Sequence, residues 1–162
     1  MLAQSDSLRF FRLSNNHLSG KITPTIFFSS LLEFLYLDGN NFDGNIPSID
    51  ILTIPLYSLK DVDLSNNNLS GELPRWIWNV SNLNALAVSN NQLKGLITME
   101  LCYLDSLNIL DLSKNNFSGQ IPSCFDAQSI KHLHLRKNRL NGTLTNAFFN
   151  SSSLVALDLS EN

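Results

Sequence analysis

A side-chain pattern that recurs at nearly constant intervals constrains this chain more than any other feature. It is clearest in residues 107–122, LNILDLSKNNFSGQIP. The same frame begins at Leu8, Leu32, Leu59, Leu83, Leu107, Ile130 and Leu154, at intervals of 24, 27, 24, 24, 23 and 24 residues. A period in this range is typical of a solenoid, in which each coil contacts only its neighbours. We therefore expect residues 1–162 to form a single array of about seven coils.

An asparagine occupies the ninth position of every copy. These residues are Asn16, Asn40, Asn67, Asn91, Asn115, Asn138 and Asn162. A side-chain amide turned inward satisfies backbone N–H and C=O groups that are left open where the chain leaves a strand. Stacked coils therefore predict a structural ladder of asparagines.

Composition excludes several classes of function. The net charge of −3 and the pI near 5.5 disfavour a nucleic-acid partner. No run approaches the ~18 apolar residues of a membrane span. Residues 1–11 do not resemble a secretory signal, because Arg9 and Arg12 follow the few apolar residues. A membrane connection is thus expected only through segments absent from this chain.

Neither end of the sequence provides the polar cap that a terminal coil needs. The last copy stops at Asn162, on its ladder position. We expect a segment of a longer solenoid, uncapped at both ends.

The two cysteines, Cys102 and Cys124, fall in adjacent predicted coils. Their positions within the coil differ by one residue, and stacked coils lie about 4.8 Å apart. This placement leaves them near bonding range. The alternatives are a disulfide, which needs an oxidising compartment, and two buried thiols.

Two outer segments carry candidate contact features. Trp76 and Trp78 lie two residues apart in residues 74–81, PRWIWNVS. They either form an exposed contact surface or pack against a neighbouring coil. The second coil is three residues longer than the usual period, through residues 48–58, which predicts a surface bulge.

Five sequons of the form N-x-S/T mark candidate glycosylation sites: Asn68, Asn79, Asn116, Asn141 and Asn150. Those at Asn68 and Asn116 arise from the repeat frame whenever its tenth residue is asparagine. Together with the low charge, the sequons favour an extracellular setting.

No catalytic set emerges from the sequence. Asp63, Asp111 and Asp158 share the fifth repeat position, but the repeat generates them and implies no enclosed pair. His132 and His134 share one strand face, yet they lack a further His or Cys that would complete a metal site. We therefore predict no enzyme activity, no metal and no cofactor.

The motif LxGxIP adds a resemblance to a known family. It appears at residues 44–47, 71–74 and 119–122, whereas Thr23, Thr98 and Thr145 replace its proline elsewhere. The whole pattern over residues 8–162 resembles the plant extracellular subclass of leucine-rich repeats. The stretch LDLSKNNFSGQIPSCF is most similar to receptor-like proteins, with receptor-like kinase ectodomains next. The resemblance implies an α/β solenoid, a right-handed superhelix with a parallel sheet on its concave face and a short extra strand near LxGxIP.

The resemblance also implies that the concave face binds the ligand. Candidate residues there are Phe10, Arg12, Phe34, Tyr36, Asp63, Asp111, His134 and Arg136. His134 and Arg136 are similar to an Arg-x-Arg pair with which some plant peptide-hormone receptors hold a ligand carboxylate. A basic patch neutralised by Asp111 and Asp158 is the alternative.

The function implied is ligand recognition by a plant cell-surface receptor-like protein, in defence or developmental signalling. Its partners would be a peptide or protein ligand and a co-receptor or adaptor kinase, at the extracellular face of the plasma membrane. One alternative is a secreted, apoplastic protein that resembles polygalacturonase inhibitors. Another is a truncated product without independent function.

Overall fold

The computed structural model describes residues 7–27, 29–50, 56–123, 130–144 and 151–162. Within these ranges the backbone repeats one unit: a short strand, a turn, a second short strand and an outer segment. Successive units stack so that equivalent strands pair with one another. The predicted solenoid is confirmed.

The first strands of the units form a parallel sheet of seven members in chain order. Equivalent residues pair across it, as in Phe10↔Phe34, Phe34↔Asp61 and Asp61↔Ala85. This register places the same repeat position of every coil in one row. The strands are β1 (Phe10–Arg12), β3 (Phe34–Tyr36), β5 (Asp61–Asp63), β7 (Ala85–Ala87), β9 (Ile109–Asp111), β11 (His132–His134) and β13 (Ala156–Asp158). We call this the concave sheet.

The second strands form a six-stranded parallel sheet, as the LxGxIP resemblance implies. Each of the first six coils contributes a segment that passes through a glycine with positive φ, such as Gly71 at 80° and Gly95 at 95°. The strands are β2 (Ser19–Lys21), β4 (Asn41–Asn45), β6 (Asn68–Glu72), β8 (Gln92–Leu96), β10 (Asn116–Gln120) and β12 (Arg139–Asn141). We call this the lateral sheet.

In the described part of the chain, the outer segments of three coils contain short 3-10 helices at Pro24–Phe27, Arg75–Asn79 and Met99–Tyr103. Trp76 and Trp78 lie in the second of these helices and are only 4% and 5% exposed. The Trp76 indole N–H donates to the Pro47 carbonyl at 2.9 Å, and its ring contacts the edge of Phe27 at 5.0 Å. The interpretation of these tryptophans as an exposed contact surface is therefore wrong, because both fill the space between coils.

The apolar positions of the frame form one continuous core between the two sheets. The central residue of most concave strands is fully buried, as at Leu35, Leu86, Leu110 and Leu133. Since strand side chains alternate, the residues on either side of it project from the concave surface. The core therefore fixes which side chains are available there.

The asparagines form hydrogen bonds that link each coil to the one before. Asn115 Nδ2 donates to the carbonyls of Leu112 (3.2 Å) and Ser113 (3.1 Å), and to that of Val88 in the preceding coil (2.9 Å). Its Oδ1 accepts from the Leu93 N–H at 3.0 Å. The pattern repeats at Asn40, Asn67, Asn91, Asn138 and Asn162.

Asn16, in the first coil, donates only to carbonyls of its own coil, those of Leu13 and Ser14. It is exposed, whereas Asn115 is buried. Asn16 thus offers a natural comparison for the interior members of the ladder.

The residue before each ladder asparagine adopts the left-handed conformation. Its φ lies between 53° and 65° in all seven coils, which places Asn15, Gly39, Asn66, Asn90, Lys114, Lys137 and Glu161 in this region. Glycine and asparagine tolerate it, whereas lysine and glutamate are strained there. The turn after the concave strand is thus set by coil geometry even where the local residue disfavours it.

Candidate functional site

An aromatic cluster projects from the first two strands of the concave sheet. Phe10, 66% exposed, stacks on Phe34 with ring centres 4.6 Å apart and planes 6° from parallel. Phe34 in turn contacts Tyr36 at 6.3 Å. The Arg12 guanidinium lies 4.6 Å above the Tyr36 ring, within the range of a cation–π interaction. We call Phe10, Arg12, Phe34 and Tyr36 the aromatic shelf.

Charged residues form a row beside the shelf at the second repeat position. The Glu33 carboxylate accepts from Arg9 at 3.0 Å and from Lys60 at 2.8 Å. Hydrogen bonding to Lys60 is the main reason that the pKa of Glu33 lies below its usual value. The single carboxylate of Glu33 is thus shared by two cations, so these three residues keep a net charge of +1.

Carboxylates follow the shelf on the third strand. Asp61 accepts from the Tyr36 hydroxyl at 3.2 Å and from the Asn84 amide at 3.1 Å. Asp63 accepts from the Ser65 N–H at 2.9 Å, but partial burial, with the charges of nearby carboxylates, raises its pKa. This part of the sheet therefore holds negative charge that is only partly solvated.

The three aspartates at the fifth position are not brought together. Asp63 and Asp111 lie on β5 and β9, with Ala87 of β7 between them. Asp111 and Asp158 flank His134 in the same way. In the part of the chain that the structure describes, no group of three or more His, Cys, Asp and Glu residues is arranged to hold a metal ion.

The sixth coil carries a run of basic side chains, and we call it the basic coil: Lys131, His132, His134, Arg136, Lys137 and Arg139. These side chains are divided between the two sheets. His132 and His134 project from β11 with ring centres 6.4 Å apart, whereas Arg139 lies in β12 of the lateral sheet. Arg136 forms a salt bridge with Glu161, its Nε lying 2.8 Å from the carboxylate, and Lys137 reaches the same group at 3.2 Å. Only part of the basic coil is therefore available to a ligand on the concave sheet.

Glu161 forms ion pairs that the sequence did not predict. One of the two alternatives for His134 and Arg136 is a basic patch neutralised by Asp111 and Asp158, but Arg136 and Lys137 form their direct ion pairs with Glu161. The pKa of Asp158 is lowered mainly by hydrogen bonds from Ser160, with smaller contributions from Arg136 and His134. The sequence signal available for these ion pairs was the charge of Glu161 itself, at the eighth position of the next coil.

Cys102 lies in the 3-10 helix Met99–Tyr103 and is disulfide-bonded. Cys124, its predicted partner, lies outside the described residues. The pairing of these two cysteines stays a prediction.

The sequons fall on the lateral sheet and the outer segments. Asn68 and Asn116 begin β6 and β10, Asn141 ends β12, and Asn79 ends a 3-10 helix. Asn150 lies outside the described residues. None of these four described asparagines belongs to the concave sheet, so attached glycans would leave that sheet open.

Within the described ranges, no helix has the length and apolar character required to cross a membrane.

Comparison with known proteins identifies the repeat. Residues 7–28, 31–49, 58–80 and 106–127 match the Leucine Rich Repeat family. Cuscuta receptor 1 from Solanum lycopersicum is 45% identical over 158 residues, which cover 98% of this chain and 14% of that receptor. Receptor-like protein 35 from Arabidopsis thaliana is 38% identical over 167 residues, covering 100% of this chain and 15% of that protein. The chain thus spans only a small part of these relatives.

Solved structures show the same architecture. A TDR receptor superposes with a TM-score of 0.87 at 36% identity, covering 96% of this chain and 26% of that one. The Arabidopsis receptor kinase HAESA, solved with the peptide hormone IDA and the co-receptor SERK1, gives 0.84 at 28% identity, covering 98% of this chain and 26% of that one. The chain therefore belongs to the leucine-rich repeat family, in the plant extracellular group that includes receptor-like proteins and receptor kinases.

Proposed function

We propose that this chain is a ligand-recognition segment of a plant cell-surface receptor-like protein, and that its concave sheet binds a peptide or protein ligand. The observation that carries the proposal is the aromatic shelf, in which the exposed ring of Phe10 stacks on the half-buried ring of Phe34, which contacts that of Tyr36, at one end of the concave sheet. Large aromatic side chains and arginine are enriched where proteins anchor partners. A relative solved with a peptide hormone and a co-receptor, HAESA, supports the same role.

The dimensions of the concave sheet suit an extended peptide. Seven strands give six steps of about 4.8 Å, or roughly 29 Å, which about nine extended residues at ~3.3 Å each would span. Such a ligand would meet the aromatic shelf first, then the carboxylates Asp61 and Asp63, and finally the basic coil. The expected ligand therefore has an apolar anchor, a central cation and an acidic end.

Arg136 is the proposed contact for that acidic end. Its planar guanidinium can bind a carboxylate through two parallel hydrogen bonds. The Glu161 carboxylate is already paired with this guanidinium, so a ligand carboxylate must displace Glu161, which is exposed. His134, which like Arg136 lies near enough to Asp158 to help lower its pKa, would supply a second donor.

We further infer that the segment acts outside the cell and that ligand binding recruits a co-receptor or adaptor kinase. The disulfide at Cys102 fits an oxidising compartment. The relatives provide the other support, because Cuscuta receptor 1 and Receptor-like protein 35 are named as receptors and HAESA was solved with the co-receptor SERK1.

A displayed library of peptides about nine residues long, with free carboxyl termini, tests the concave site. Binders selected on the wild-type chain should lose at least about tenfold in affinity on Phe10→Ala/Phe34→Ala, which removes anchors worth more than ~1.4 kcal/mol. Tyr103→Ser is the matched control, because Tyr103 is 75% exposed but lies in the outer segment. Binders that respond to Tyr103 and ignore the shelf would refute the proposal.

The carboxylate contact has its own test. Arg136→Glu should weaken peptides with a free carboxyl terminus and leave their amidated forms unchanged. Glu161→Gln should strengthen the free-acid forms, because it frees the guanidinium. Unchanged affinity of every selected peptide for both variants would remove Arg136 from the site while leaving the aromatic shelf in place.

A further inference from the structure

An open groove of about 890 Å³ crosses the lateral sheet, away from the concave site. Its polar walls come from the side chains of Asn45, Ser70, Glu72, Gln92, Lys94 and Asn116. We call it the lateral groove.

Two glycines shape the groove: Gly71 lines it, and Gly95 lies beneath the side chain of Glu72, which lines it. A Cβ at Gly71 would lie 2.5 Å from Asn45 Oδ1, and a Cβ at Gly95 would lie 2.9 Å from Glu72 Cγ. Because these side chains are missing, Asn45 and Glu72 lie flat across the next strand instead of standing away from it. The groove is thus a direct consequence of the glycine in each LxG motif.

The polar groups in the groove are available for a ligand. Asn45, Glu72 and Lys94 are exposed, and among the described residues their side chains have no hydrogen-bond or ion-pair partner. They offer an amide, a carboxylate and an ammonium on adjacent strands about 4.8 Å apart, which is close to the length of one pyranose ring. Pro47 and Pro74 add apolar surface at one wall. This combination suits a neutral, hydroxyl-rich chain of sugars.

Asn116 places such a sugar chain at the groove. It begins the sequon Asn116-Phe117-Ser118, is half-buried, and lines the groove itself. Asn68 has the same repeat position and the same type of sequon, but it does not line the groove, and its Oδ1 accepts a hydrogen bond from Gln92. The two sequons therefore predict different surroundings for their glycans.

We propose that the N-linked glycan of Asn116 lies in the lateral groove and packs its core sugars against Asn45, Glu72 and Lys94. Attachment at the rim gives the sugars a high effective concentration, so weak polar contacts are sufficient to hold them. The inference rests on the extracellular role proposed above, because this glycan is added only to secreted or membrane proteins. It makes the lateral sheet from β4 to β10 a covered surface and directs protein ligands to the concave sheet.

The test is expression of the chain behind a secretion signal, in cells that leave glycans in the high-mannose form. Intact glycopeptide mass spectrometry should find Asn116 occupied. On the native protein, an endoglycosidase that cleaves within the glycan core should release the Asn116 glycan at least about tenfold more slowly than the Asn68 glycan. Tenfold protection means that the glycan leaves the groove about one tenth of the time.

Asn45→Ala/Glu72→Ala should bring release at Asn116 up to the rate at Asn68. An unoccupied Asn116 beside an occupied Asn68, or equal release rates in the wild-type chain, would overturn the inference and leave the proposed function standing. If no sequon is occupied, the extracellular role fails as well.

A free saccharide could bind the lateral groove through the same polar contacts as the glycan attached to Asn116. One further measurement distinguishes these two ligands. The probe is N,N′-diacetylchitobiose added to the Asn116→Gln chain. Weak binding that is lost in Asn45→Ala/Glu72→Ala supports the groove as the site of the core sugars when Asn116 is occupied in the wild-type chain. The same binding with Asn116 unoccupied would assign the groove to a free saccharide and overturn the tethered arrangement.

Discussion

Asn115→Ala should measure how much one rung of the asparagine ladder contributes to stability. The substitution removes four hydrogen bonds, two of which reach the preceding coil at Val88 and Leu93. The Leu93 N–H then has no acceptor in a buried position. Leaving one buried donor and one buried acceptor unpaired costs about 2–4 kcal/mol at ~1–2 kcal/mol each, which lowers the melting temperature by roughly 4–16 °C for a chain of this size.

Asn16→Ala is the matched control. Asn16 is exposed and bonds only to carbonyls of its own coil, so its loss should cost less than about 1 kcal/mol. Urea unfolding compares the two variants, and amide hydrogen exchange reports the Leu93 N–H directly. Because solenoids need not unfold in one step, exchange is the decisive measurement. Equal losses for both variants, with unchanged protection at Leu93, would refute the assignment of stability to bonds between coils.

Three other substitutions test separate features. Burial is the main reason that the pKa of Asp63 in the folded chain lies above its usual value of 3.8. The native state therefore binds a proton that the unfolded state has lost, and the stability of the wild-type chain falls as the pH rises through that window. Asp63→Asn should abolish this fall. Urea titrations across that pH window should show the fall in stability retained in Asp111→Asn. The same fall in Asp63→Asn would contradict the prediction. Lys114→Asn should stabilise by about 0.5–1 kcal/mol because φ is 53° there, and a loss of stability on thermal melting would argue against strain. Trp76→Phe should cost about 1–2 kcal/mol through its lost bond to Pro47, and a neutral effect on melting would show that bond to be dispensable.

The repeat frame could be read from sequence because each of its positions solves a constraint that every coil shares. Leu110 and Leu133 must exclude water from the space between the sheets, and they are fully buried. Asn115 must satisfy backbone groups at the end of a strand, and it does so with four bonds. These requirements involve residues of one coil or of two adjacent coils. They therefore recur at the same position of every repeat and can be recognised in the sequence.

The surroundings of the exposed residues could not be read in the same way. The repeat positions offer Asp111 and Asp158 as partners of Arg136, but the partner that its long side chain reaches directly is Glu161, 25 residues away. Arg139 belongs to the same run of basic residues and nevertheless lies in the other sheet. The lateral groove depends on the missing side chains of Gly71 and Gly95, which the frame presents only as turn residues. Contacts between exposed side chains depend on their rotamers and on the geometry of the coils, and the repeat pattern determines neither.

The Arg136–Glu161 pair indicates how affinity should be divided over the concave sheet. Both side chains are more than one third exposed, at 41% and 49%, so the pair itself contributes no more than about 1 kcal/mol. A ligand carboxylate that replaces Glu161 exchanges one solvated ion pair for another and gains little unless the ligand also excludes water. The aromatic shelf is different, because Phe10 exposes apolar surface that a partner would remove from water. Affinity should therefore arise mainly at the first two coils, while the basic coil selects the ligand's end and orientation.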